Sequence, residues 1–167
     1  MVRLLARLLR GALAGMVGTL AMDLLWWRRY RSGGGGDGFI DWEFASGVAS
    51  FDEASAPGRV GQHAAALVGI DLPDDAAAAT TNVVHWLTGA GYGVAHEFVP
   101  GGGGPALRGA ATGTGAFANS YATLGAMGVY EPIWRYDSAT LRSDLGAHLL
   151  FGVATGLAHA AMSGRDR

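Results

Sequence analysis

The chain of 167 residues contains no cysteine and no lysine. Without cysteine there is no disulfide, no thiolate nucleophile and no Cys-ligated zinc. Charge is scarce, at 16% Asp, Glu, Lys and Arg against about 25% in an ordinary soluble domain. The net charge of −2 offers nothing to a polyanion, so nucleic acid is not an expected partner. No His-x-x-x-His or Glu-x-x-His spacing occurs, and no arrangement of nucleophile, base and orienting acid stands out. The chain therefore reads as non-enzymatic, with no catalytic residue, no metal ligand set and no cofactor assigned.

What is abundant is glycine, 28 residues, within a composition that is 50% hydrophobic. Glycine weakens a soluble helix but is common in membrane helices, where it lets backbones approach. The mean hydropathy of +0.22 is low for a membrane protein, because a long polar loop and many Gly and Ala residues dilute it.

The position of the charges decides the class. Residues 76–95, 109–130 and 145–164 contain no Asp, Glu, Lys or Arg. Each window is about the 20 residues needed to cross the hydrocarbon of a bilayer as a helix. A soluble bundle needs a charged outer face on every helix, and these windows have none. A further apolar stretch opens the chain and carries one acid, Asp23. Its Arg3, Arg7 and Arg10 give it the look of a secretory signal. The apolar run continues through Leu24 and Leu25 to Trp26, Trp27, Arg28 and Arg29, an interfacial anchor that favours an uncleaved span. The expectation is an all-α, four-helix transmembrane bundle forming a single membrane domain over 1–167. Its spans lie at about 4–27, 76–98, 105–130 and 140–162. Between the first two lies an extramembrane loop over 31–75, acidic and Gly-rich, with Asp41 capping a short turn and a short helix over 57–68. The acids of this loop, Glu43 among them, read as a solvated cover. Self-association of the bundle is left open, and the basic residues divide too evenly between the two sides to orient it.

Each span carries a Gly-x-x-x-Gly pair, Gly11 and Gly15, Gly89 and Gly93, Gly109 and Gly113, and Gly152 and Gly156. Such pairs let helices pack closely where lipid supplies no hydrophobic drive. Polar residues share these faces at helical spacing, as in Asn82, His85, Gly89, Tyr92 and His96. With alternating helix direction, Asp23, Asn82, His85, Asn119, Asp144 and His148 fall in the half of the bundle next to the long loop, side B. His96, Glu97 and His159 fall near the opposite interface, side A. The first group reads as an inward-facing polar cluster that ties the helices together. Intramembrane ionisable groups also mark ion and proton pathways, so a proton-linked transporter or channel component is the alternative. A metal- or haem-binding protein, with His85 and His148 as candidate ligands, is the third.

The stretch from His85 to His159 resembles the YagU-like family of small bacterial inner-membrane proteins. The residues carrying the likeness are His85-Trp86, Gly89, Tyr92, Glu97-Phe98, Pro100, Gly109, Gly113, and Gly146 with His148, and the Gly11 to Gly18 run resembles the family's start. The resemblance implies a multi-pass inner-membrane protein, with the lipid bilayer as its partner and no established biochemical activity.

Overall fold

The computed structural model describes residues 2–44, 47–100 and 102–164. Among them the chain is all-α, with six α-helices and no strand. They are α1 (Val2–Ser32), α2 (Phe39–Glu43), α3 (Ala56–Leu67), α4 (Ala77–His96), α5 (Gly104–Ala126) and α6 (Ser138–Ser163). Two of them, α1 and α6, are long and apolar enough to cross a membrane.

Local chemistry sets the helix ends. α1 runs past the expected stop at Trp27, because Arg29 and Arg31 in its last turn suit the negative end of the helix dipole. It ends where Gly34 takes φ +98°, a conformation costly for any residue with a Cβ. α5 stops at Ala126, short of the expected 130, and Gly128 just beyond has φ +71°. Asp137 caps α6, accepting from the backbone N–H groups of Ala139 and Thr140 at 2.7 and 2.9 Å, as a short acceptor at this position does. Asp41 does not cap α2. Gly38 holds the N-cap position and Asp41 lies in the first turn.

The four long helices pack side by side. α1 lies against both α4 and α6, and α5 packs against α6, while α4 and α5 touch far less. Glycine makes the two closest seams. A Cβ on Gly11 would stand 2.7 Å from the carbonyl oxygen of Gly93, and one on Gly15 would collide with that of Gly89. On the other seam, Gly109 faces Gly152, Gly113 faces the His148 carbonyl and Gly156 faces that of Pro105. Gly18 makes a third approach, between α1 and α6, where a Cβ would lie 2.6 Å from the Phe151 carbonyl. The loop folds back onto α4, with α3 packed on it and Phe51 and Ala54 buried against Ala77.

Candidate functional site: a polar cavity under the loop

The glycine seams bring the helices together at their middle and A-side end, and on side B the helix walls enclose space. A cavity of about 1010 Å³ opens there, lined by α1, α4, α5 and α6 and roofed by residues of the loop including Trp42, Glu43 and Val48. Asp23, Asn82, His85, Asn119, Asp144 and His148 all line it. Helical spacing accounts for most of this, since Asp23, Asn82, His85, Asp144 and His148 lie on the same stripes as the glycines of their helices, while Asn119 sits to one side of the Gly109–Gly113 row.

The six do not form one hydrogen-bonded unit. On the α1–α4 wall, Nε2 of His85 lies 2.9 and 3.1 Å from the two carboxylate oxygens of Asp23. Asp23 is only 4% exposed. One turn earlier, Asn82 donates to the carbonyls of Phe44 and Ala78 at 2.9 and 2.8 Å, tying the loop to α4. On the α5–α6 wall, Tyr121 donates to Asp144 at 2.6 Å, and Nδ1 of His148 lies 2.8 Å from the Asp144 carbonyl oxygen. Asn119 donates to the Tyr92 hydroxyl at 2.7 Å, one of the few links between α5 and α4.

Glu43 corrects the reading of the loop acids as a solvated cover. It sits over the Asp23–His85 pair, and the three residues can place one ligand atom each within 4.8 Å of one another. Its Oε1 is buried and accepts no hydrogen bond. Burial, and after it the charge of Asp23, raises the Glu43 carboxyl to about 7, because both disfavour a second negative charge at that point. Nothing in the periodicity of α2 could have found this contact, since it depends on how the loop folds back.

A second polar group closes side A. His96 is 1% exposed and its Nδ1 lies 2.7 Å from the Thr112 hydroxyl. Glu97 is paired with His159 and, at 3.3 Å, with Arg7. The rings of His96 and His159 meet edge to face at 5.3 Å. So the three residues expected near this interface join α4, α5 and α6 in a largely buried network, reached from α1 by the exposed Arg7. His96 and His159 also line a smaller cavity of about 290 Å³, together with Arg108 and Ser163. His159 and Ser163 are an i, i+4 pair that marks the face, but Arg7 carries no signal of its own. Thr19, 1% exposed, lines the side-B cavity with the edge-to-face pair of Tyr92 and Phe151, and Thr155 is 0% exposed.

Comparison with known proteins gives no relative: no family model, no curated protein and no solved structure matches the chain.

Proposed function

We propose that this chain is a multi-pass protein of the bacterial inner membrane, a four-helix bundle that receives a small polar solute in its side-B cavity without chemically altering it. The observation that carries the reading is the combination of that cavity with the outer surface around it. Polar groups from four helices face inward on about 1010 Å³ of space. Leu5, Leu9, Leu13, Val17 and Leu24 of α1, Val83 and Leu87 of α4, Leu107 of α5 and Leu157 of α6 face outward and exposed. Apolar outside and polar inside is the arrangement a bilayer favours, because ionisable groups within it turn toward one another or toward water. α4 and α5 are less apolar than α1 and α6, but neither has a charged outer face within residues 77–95 or 109–126. The resemblance to the YagU-like family supports the same reading.

Since the chain lacks cysteine, single cysteines report on it cleanly. Asn119→Cys and Thr123→Cys, on the cavity wall, react with a membrane-impermeant maleimide, whereas Ala14→Cys and Thr155→Cys do not. The chain stays with carbonate-washed membranes. Release of folded chain by the wash, or equal labelling of Asn119→Cys and Thr155→Cys, contradicts the proposal.

One observation favours proton-linked passage as a second reading. On side A, His96 and His159 border their own cavity, with Glu97 paired to His159, at the far end of the same bundle from Asp23 and His85. Titratable groups at both ends of a bundle suit a relay. Reconstituted vesicles would show a proton flux that Glu97→Gln abolishes, and wild-type vesicles as tight as protein-free ones exclude it.

A further inference from the structure

The contact between the loop and the helix walls goes beyond solute entry. Asp23 comes from α1, Glu43 from α2 and His85 from α4, so three separate elements converge on one point. Buried acids side by side are costly unless a cation lies between them. His85 offsets part of the charge of Asp23. Oε1 of Glu43 is buried without a hydrogen bond, and its polar neighbours are Asp23 and Trp86, whose Nε1–H is likewise unpartnered. An acceptor in that state beside a second carboxylate is a position that a cation would satisfy.

We propose that Asp23, Glu43 and His85 bind one divalent first-row metal ion, of the Zn²⁺ or Mn²⁺ kind, with the cavity supplying the remaining coordination position. The donor set is two carboxylates and one imidazole. Mixed oxygen and nitrogen donors suit zinc and manganese, while all-oxygen calcium sites use no imidazole. Zinc holds its ligands at about 2.0–2.2 Å, which puts donors about 3.4 Å apart around a tetrahedral ion. The three ligand atoms lie within 4.8 Å of one another. The Asp23–His85 contact at 2.9 Å would open slightly and Glu43 would close, movements within the reach of side-chain rotation. Three protein ligands with one side open is the form of a zinc site that keeps a place for water or a bound molecule.

The site also gives the loop a purpose. α2 reaches the helices through Glu43 and the Asn82 bond to Phe44, so an ion bound there would fasten the loop over the cavity. Metal binding is independent of the membrane reading and is measured separately from partition and labelling.

The test uses the full chain, stripped with EDTA and titrated with ZnCl₂ or MnCl₂ by calorimetry, with bound metal counted after gel filtration. One ion per chain is expected, with a rise in melting temperature on binding. Glu43→Gln should weaken binding about 100-fold or more, because it removes a ligand and not merely a supporting contact. It lies on a loop helix and is expected to leave the metal-free melting temperature close to wild type. Asp23→Asn should do the same to binding but also weaken the fold. Asp144→Asn, on the opposite wall of the same cavity, should bind as wild type does. No stoichiometric ion in the wild type overturns the proposal. So does Glu43→Gln binding as tightly as wild type, which would assign the ion to the acids elsewhere in the loop.

Discussion

Asp23 and His85 lie 62 residues apart and meet through both carboxylate oxygens, at 3.1 and 2.9 Å. The contact joins α1 to α4 on side B of the closest glycine seam. Removing His85 leaves the buried Asp23 carboxylate without this partner, which costs more than the contact itself contributes, and removing Asp23 leaves His85 facing the cavity.

Asp23→Asn and His85→Leu should therefore each lower stability, and the double variant should lose clearly less than the sum. A double-mutant cycle on detergent melting should give a coupling on the order of 1–3 kcal/mol. His63→Leu, on exposed α3, should be nearly silent. Additive losses would mean that the two side chains do not act as a pair.

The glycine seams predict a sharp positional contrast. Gly15→Ala places a methyl group against the Gly89 carbonyl, whereas Gly91→Ala meets nothing within 4 Å. The first should destabilise by about 1–3 kcal/mol, as overpacking does, and the second should be neutral or slightly stabilising as a helix residue. Equal melting temperatures for the two would refute the packing.

Tyr121→Phe deletes the hydroxyl that Asp144 accepts at 2.6 Å. Loss of a hydrogen bond to a charged group costs about 1.5–3 kcal/mol, so a measurable drop in melting temperature is expected. Tyr136→Phe, which removes only an exposed hydroxyl bond to the Glu131 backbone, serves as the comparison.

Asp137 gives a pH dependence whose sign can be worked out. The backbone N–H of Thr140, then its hydroxyl and the N–H of Ala139, hold this carboxyl below the usual carboxylate range. A depressed carboxyl contributes stability that is present above its unfolded value and is lost as pH falls through the folded one. Wild type should lose a little stability on acidification that Asp137→Asn, which keeps a cap without the charge, does not. Identical acid limbs for the two would show that the charge is irrelevant there.

Much of this architecture is legible in the residue order. The charge-free windows mark α4, α5 and α6. The recurrence of Gly89 and Gly93, or Gly152 and Gly156, on the same stripe as His85 or His148 indicates which face turns inward. Helix direction is enough to put Asp23, Asn82, His85, Asn119, Asp144 and His148 in one half of the bundle. What periodicity could not supply was anything decided between elements. Glu43 reaches Asp23 only because the loop doubles back, and Arg7 meets Glu97 across 90 residues. Tyr121 falls outside the stripe of Thr112, Asn119 and Thr123, yet it is the partner of Asp144, and its place at four-residue steps beyond Gly109 and Gly113 is an unused signal of its inward face. Helix stops after α1 and within α5 were misplaced for a local reason, since arginine extends one end and a left-handed glycine curtails the other.

The four walls of the cavity are not equally fastened. Three helix pairs meet through positions too tight for a methyl group, several on the α1–α4 and α5–α6 seams and one, Gly18, between α1 and α6. The fourth, between α4 and α5, is tacked together chiefly by side-chain bonds, Asn119 to Tyr92 and His96 to Thr112. Inter-helix bonds of that kind average only about 0.6 kcal/mol in a bilayer. On the membrane reading proposed above, a molecule too large for the loop side would therefore enter sideways from the lipid, unzipping this one seam while the other three hold.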